Sequence, residues 1–486
     1  MSDASYLAAE PGPAEPGPAS PEEAVDRFGR IESAGVEYIG PADRHGRPRE
    51  LFAVWLSSNL AYFYILVGGL LPVLGLSIWQ SFAVLTAGHL FWALVGLVAV
   101  SGPSTGSPSS VVTRAMYGVR GNRVLGAGAV WVLCIAYEGL NLAIGADAGF
   151  SLASFVGAGT SLPVKVAVTV LIGMVTFAMG VYGHATIVRL SVWFSVLLGT
   201  STVVLGFFVV RHATLHPAGF HALSGGKLWA ALLIGFTAVA ALPLGWPGSA
   251  DYARYLPRTA SQRAVAGWTA FGGWVPAMAL GSIGILAGSA IDMSDPQSNM
   301  RAILPSWFYA VFLLVLVVGS ITNNVLTVYS SGLALQAMGV RISRARSVLA
   351  DALLGGALCV AALASSSFLT SMSNVLALSV ALLGPFLAIY GTDILLRRNR
   401  YDGPALHDSS PSGPFWFRNG VNWSGVLALA GGTTAALLCV NTTVFVGPVA
   451  SAIGGGDLSA LVGPAVAALL HTGGSLLLGN HRKGNL

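Results

Sequence analysis

Charge is what this sequence most lacks: Asp, Glu, Lys and Arg make up 9% of 486 residues, where soluble domains carry about a quarter. That scarcity, with a mean hydropathy of +0.71, excludes an ordinary water-soluble fold. Cysteine is scarce too. Cys134, Cys359 and Cys439 all lie in apolar stretches without metal-ligand spacing, so they read as small buried residues and imply no disulfide framework. The net charge of +5 is dispersed over short segments, and no basic-aromatic run suggests nucleic acid. Short alternating strands are missing, which excludes a membrane barrel. Enzymatic motifs are equally thin: there is no H-E-x-x-H, no P-loop lysine motif and no complete dinucleotide fingerprint. "GPSTG" at Gly102–Gly106 matches G-x-S-x-G, but no strand precedes it and Pro103 makes it a turn, so it carries no nucleophile.

What the sequence has is apolar length. Runs able to span about 30 Å of hydrocarbon as helices recur, at roughly 51–75, 78–100, 124–156, 163–183, 187–211, 227–250, 264–290, 304–339, 347–364, 368–396, 421–445 and 456–479. An all-α polytopic membrane protein with about twelve transmembrane helices follows. Residues 1–50 hold "AEPGPAEPGPASPEE" and no apolar h-region, the composition of a disordered, uncleaved tail. With that tail cytoplasmic, nearly every Arg falls in an inside segment, and only Lys165, Arg211, Lys227 and Arg301 fall outside. The positive-inside bias therefore places both termini in the cytoplasm, in a cell (inner or plasma) membrane.

Two spans are interrupted. The first contains Ser57, Ser58 and Asn59; the sixth contains Pro243, Gly245, Pro247 and Gly248 around Trp246. Solute transporters bind cargo near the midplane where helices unwind, because freed backbone groups and helix ends supply ligands. Interruptions five spans apart fit two inverted five-helix repeats, 51–211 and 227–396, then a loop at 397–420, two further helices at 421–479 and a short tail at 480–486. The eighth span carries Thr322, Asn323, Asn324, Thr327, Ser330 and Ser331. Small-residue helix packing accounts for Ser330, Ser331 and Gly332. Adjacent amides at Asn323 and Asn324 point about 100° apart and serve two sites only if two faces of that helix meet polar partners. Glu138 is the clearest ionisable residue deep in a span, either a proton carrier, a partner for a heterocycle, or a protonated side chain joining two helices. His184, Arg189, Asp251 and Asp393 stand nearer span ends and read as organisers of loops.

Several stretches, in order along the chain, resemble the purine-cytosine permease branch of the nucleobase cation symporter family: "HGRPRELFAVWLSSNL" (45–60), "GVRGNR" (118–123), "AYEGLN" (136–141), "GWPGSADYARYLP" (245–257), "NNVLTVYSSGL" (323–333) and "RRNRYDG" (397–403). The resemblance implies the leucine transporter fold and uptake of a nucleobase-like heterocycle, cytosine or a purine, coupled to Na⁺ or H⁺ by alternating access. No cofactor is implied; the partners are the heterocycle, the cation and the bilayer. Carried over, the cation site falls on Ser57, Leu60, Gly319, Thr322 and Asn323, a place for Na⁺. The substrate site falls on Ala61, Tyr62, Tyr137, Glu138, Leu242, Trp246 and Asn324. Ala136-Tyr137 stands where the family has Gly-Trp, and the hydroxyl residues that ligate Na⁺ are only partly kept. Substrate and ion are therefore left open, with allantoin, a hydantoin or a vitamin-like pyrimidine or pyridine as other cargoes, and a channel or a nutrient receptor as other modes.

Overall fold

The structure, a computed structural model, describes residues 28–29, 31–32, 35–215, 221–293, 295–364, 368–480 and 484, with backbone alone for 368–373. Residues 1–27, most of the expected tail, lie outside that set, as do Arg482 and Lys483. Among the described residues ten helices are long and apolar enough to cross a bilayer, and a bent pair makes an eleventh. In chain order they are α1a (Glu50–Asn59) and α1b (Tyr62–Val73), α2 (Ile78–Thr105), α3 (Val119–Phe155), α4 (Leu162–Tyr182), α5 (His184–His212) and α6 (Gly225–Leu244). The series continues with α7 (Gln262–Ala287), α8 (Ser306–Ala337), α9 (Arg344–Ala364), α10 (Phe368–Leu396) and α12 (Ser459–Leu477), with a shorter apolar helix, α11 (Trp423–Cys439), between the last two.

α11 is shorter than the expected 421–445. Its 17 residues cover about 26 Å at 1.5 Å per residue. It stops at Cys439 because the next residues satisfy one another: Thr442 Oγ1 donates to the Phe445 carbonyl at 2.8 Å, and the Phe445 amide donates back to Thr442 Oγ1 at 2.9 Å. Such local side-chain bonds compete with helix continuation. α2 runs past its expected end at 100, and the "GPSTG" stretch is its last helical turn, closed by Gly106 at φ +64°. Ser104 Oγ donates to the Ser101 carbonyl at 2.9 Å.

The first break has a local cause. Ser57 Oγ donates to Val54 O at 3.1 Å, Ser58 Oγ to Trp55 O at 3.2 Å and Asn59 Nδ2 to Trp55 O at 2.8 Å. These side chains bond back one turn within α1a, while the carbonyls that a continuing ladder would use, those of Ser57 and Ser58, accept from Thr322 Oγ1 and Asn323 Nδ2 of α8. Leu60 leaves the helix, Ala61 is extended (φ −120°, ψ 148°), and α1b departs at 58° to α1a. Tyr64 Oη closes the gap by donating to Asn59 Oδ1 at 2.5 Å. At the second break Pro243 sits in the last turn of α6, and after Trp246-Pro247 the chain resumes as a 3-10 turn, Ser249–Tyr252. The missing proline N–H groups explain why the ladder fails there.

The breaks meet in the middle of the bundle. Trp55 of α1a stands edge-on to Trp246 at 5.2 Å between ring centroids. α8 lies along α3 and also contacts α1a, while α9 packs against both α3 and α8. Residues 35–50, expected within the disordered tail, are packed: Ile39 is buried and its amide bonds to Gly106 O at 2.9 Å.

Candidate substrate cavity and cation seat

A cavity of about 50 Å³ lies at the junction of the two breaks. Phe63 and Tyr64 of α1b, Cys134 and Tyr137 of α3, Leu242 and Gly245 to Gly248 around the α6 break, and Asn323, Thr327 and Ser330 of α8 line it. Helical phase explains the choice: positions 134, 137 and 141 share one face of α3, and 323, 327 and 330 share one face of α8. Tyr137 is fixed from behind, its hydroxyl 2.8 Å from Ser379 Oγ of α10.

Of the seven expected substrate residues, Tyr137, Leu242 and Trp246 line this cavity. Ala61 and Tyr62 instead border a smaller one of about 20 Å³ against α5 and α8. Asn324 and Glu138 lie one helical step around, outside the lining; Asn324 Nδ2 donates to the Glu138 carbonyl at 3.2 Å. Asn323 lines the cavity in their place, held by Asn141 of the "AYEGLN" stretch. Asn141 Nδ2 donates to Asn323 Oδ1 at 2.8 Å, tying α3 to α8. Its signal was its position, four residues after Tyr137 and so on the same face. Ser379 offered no comparable signal.

The five expected cation residues gather at the α1 break. Thr322 Oγ1 is 3.1 Å from Ser57 O and 3.0 Å from Gly319 O. Gly319 is required by close approach, since a Cβ there would stand 2.7 Å from Leu60 O. Asn323 Nδ2 donates to Ser58 O at 2.8 Å, and because its Oδ1 accepts from Asn141 the amide presents its NH₂ to the broken helix end. Carbonyls freed by the break are thus met by protein donors.

Around this centre the polar residues near span ends are braced. Asp251 accepts from the Ser109 amide at 2.7 Å and from Ser330 Oγ at 2.7 Å. Asp393 accepts from Arg397 Nε at 2.8 Å and Tyr401 Oη at 2.9 Å and lies 3.2 Å from His471 Nε2. His184 Nε2 is 3.1 Å from the Tyr252 carbonyl.

A family model described as "Permease for cytosine/purines, uracil, thiamine, allantoin" matches residues 38–463. The chain belongs to this permease family. A Bacillus subtilis (strain 168) protein named "Putative purine-cytosine permease YxlA" is 26% identical over 465 residues, covering 91% of this chain and 95% of that protein. Among solved structures, Mhp1, a nucleobase-cation-symport-1 family transporter in a closed conformation with bromovinylhydantoin bound, superposes with a TM-score of 0.70 at 18% identity, over 95% of this chain and 96% of its own. Inward-facing Mhp1 gives 0.70 at 17% identity, over 92% and 95%. A manganese transporter mutant from Eremococcus coleocola gives 0.52 at 14%, over 89% and 95%. The permease therefore has the leucine transporter fold expected of it, and it is a multi-pass membrane transporter, not an enzyme.

Proposed function

We propose that this permease imports a small planar nucleobase-like heterocycle, cytosine or a purine, by cation-coupled symport with alternating access, with both termini in the cytoplasm. The observation that carries the reading is the cavity at the two helix breaks, which brings the aromatic rings of Tyr137 and Trp246 together with the amide of Asn323, itself held by Asn141. Aromatic faces hold a planar ring, and an amide or hydroxyl edge reads its donors and acceptors. In this reading Trp246 and Tyr137 flank the ring, and Asn323 with Thr327 meets its polar edge. Asn324 holds α8 to α3 beside the site, and Thr322 and Asn323 bond the Ser57 and Ser58 carbonyls at the α1 hinge. The Arg-rich short segments support the orientation.

A second cargo class, allantoin or a hydantoin, is favoured by the added hydroxyl of Tyr137 and its link to Ser379, which put a polar group where a plain aromatic surface would suit a base. The test is uptake of labelled cytosine into proteoliposomes under an imposed Na⁺ or pH gradient, with adenine, hypoxanthine, uracil and allantoin as competitors. Saturable accumulation, competed best by a nucleobase, supports the first reading; competition by allantoin alone moves the cargo to the second. Unsaturable, uncoupled flux would make the protein a channel.

A further inference from the structure

Six carboxyl side chains are buried among the described residues: Glu32, Glu138, Asp251, Asp351, Asp393 and Asp457. Four have partners on both oxygens. Those of Glu32, Asp251 and Asp393 come from arginine, tyrosine, serine, histidine or backbone donors. Asp457 accepts from Thr237, Ser459 and the Asn441 amide. The remaining two differ. Neither oxygen of Glu138 has a hydrogen-bond partner, and Asp351 accepts only at Oδ1, from Trp131 Nε1 at 3.2 Å, leaving Oδ2 bare.

These two belong to one seam. Glu138 packs against Gly355 of α9, where an added Cβ would lie 3.2 Å from Glu138 Cβ and 3.5 Å from its Oε2. Asp351 precedes Gly355 by four residues and so shares that face of α9. Trp131 precedes Glu138 by seven, which puts both on the face of α3 turned away from the substrate cavity. On α8, Asn324 and Ser331 are likewise seven apart. Ser331 Oγ is the polar neighbour common to both carboxyl groups, and it is itself fully buried and without a hydrogen-bond partner, as is Asn324 Oδ1. An independent set of unpartnered, buried polar atoms therefore converges where the two acids meet.

Two ionised carboxylates in so dry a place would each be stripped of water and repel one another. The charged groups nearby do not cancel them. Arg344, at the start of α9, is engaged with Glu32 at 3.5 Å and with the Gly180 carbonyl at 2.9 Å. Asp251 adds further negative charge near Cys134, a titratable group on the cavity-lining face of α3. The seam presents three bare carboxylate oxygens, one amide oxygen and one hydroxyl, short of the about six oxygens that a hard metal cation gathers. A proton needs only one carboxylate to form an O–H bond and a second oxygen to accept it.

We propose that the buried pair Glu138 and Asp351 binds the coupling proton of this permease. The proton is taken up on one carboxylate from one side of the membrane and released from the pair to the other, with no other bond made or broken. Its binding site joins α3 and α8, two walls of the substrate cavity, to α9. The inference rests on the symport reading above and names its ion.

The test is made on full-length protein in lipid, with Glu138→Gln and Asp351→Asn as near-isosteric variants checked for monodispersity. Its first readout needs no substrate: the carboxylic-acid C=O band in pH-difference infrared spectra, present in the wild type and lost or shifted in both variants. The second is the affinity for cytosine against pH, whose dissociation constant changes by up to about tenfold per pH unit when one proton is linked to binding. That slope flattens in each variant. An infrared band untouched by both substitutions overturns the proposal, as does accumulation driven by a Na⁺ gradient alone. If the band responds as expected while no nucleobase binds, the proton site stands and the cargo reading fails.

Discussion

Arg254 Nη2 lies 2.8 Å from Glu32 Oε1, and neither side chain touches solvent. Glu32 comes from the segment before α1a, Arg254 from the chain just beyond the α6 break. The same carboxylate accepts from Tyr255 Oη at 2.5 Å, Tyr329 Oη of α8 at 3.2 Å and the His184 amide at the start of α5 at 3.1 Å, and it faces Arg344 of α9 at 3.5 Å. One acidic residue thus fastens the ends of four spans.

Removing it should be costly. Glu32→Ala leaves the buried Arg254 guanidinium without its carboxylate, a change that costs about 3–5 kcal/mol in buried pairs. The expected outcome is a clear fall in thermal unfolding temperature in detergent, with Arg254→Gln partly rescuing the Glu32→Ala background. Unchanged stability would show that the pair is dispensable.

The Asn141–Asn323 bond makes a prediction about affinity. Deleting one amide leaves the other buried and unsatisfied, which costs about 1–3 kcal/mol, and each 1.4 kcal/mol is about tenfold in binding. Asn141→Ala and Asn323→Ala should each weaken cytosine binding by about tenfold or more, and the double variant should weaken it by less than the product of the two. Independent effects in an equilibrium binding cycle would separate the two residues.

Much of the fold was legible because its signals are local. Ser57-Ser58-Asn59 and Pro243 to Gly248 mark the breaks through side-chain hydrogen bonds and missing N–H groups, and those act within one helical turn. Helical phase was harder. Which of Asn323 and Asn324 faces the cavity is a matter of 100°, set by how α8 lies against α3, and nothing within α8 alone fixes it. Asp351 was invisible as a partner of Glu138 because the two are joined only by packing across α3 and α9. Glu32 gave no sign either, standing in a proline-rich stretch that looked disordered until Arg254 and Arg344 were brought to it.

A further prediction concerns pH and the loop after α10. His407 Nε2 is 2.9 Å from Ser107 Oγ, and burial, aided by the positive charges of Arg114 and Arg254, pushes the imidazole down to about 4. An unfolded histidine titrates near 6.5. Between these values the unfolded chain binds the extra proton, so this group's contribution is complete above about 6.5 and is lost as pH falls towards 4. Thermal stability should drop over that window, and the drop should be smaller in His407→Gln. An identical pH profile for the variant would assign the loss to other groups.

Gly319 sets the last test, because α8 touches the α1 break through it. A methyl group at this position would sit 2.7 Å from the Leu60 carbonyl oxygen, a backbone atom that cannot swing away as a side-chain tip can. Gly199 of α5 offers an internal comparison: its Cβ would meet only Leu60 Cδ1 at 4.0 Å, an ordinary contact. Overpacking of a tight interface costs about 1–3 kcal/mol, and here the strain falls on the hinge that must move if access alternates. Gly319→Ala should therefore lower the rate of cytosine uptake by about tenfold, whereas Gly199→Ala should transport as the wild type does. Equal uptake by both variants, at equal amounts of folded protein, would mean that the contact between α8 and the α1 break does not govern transport.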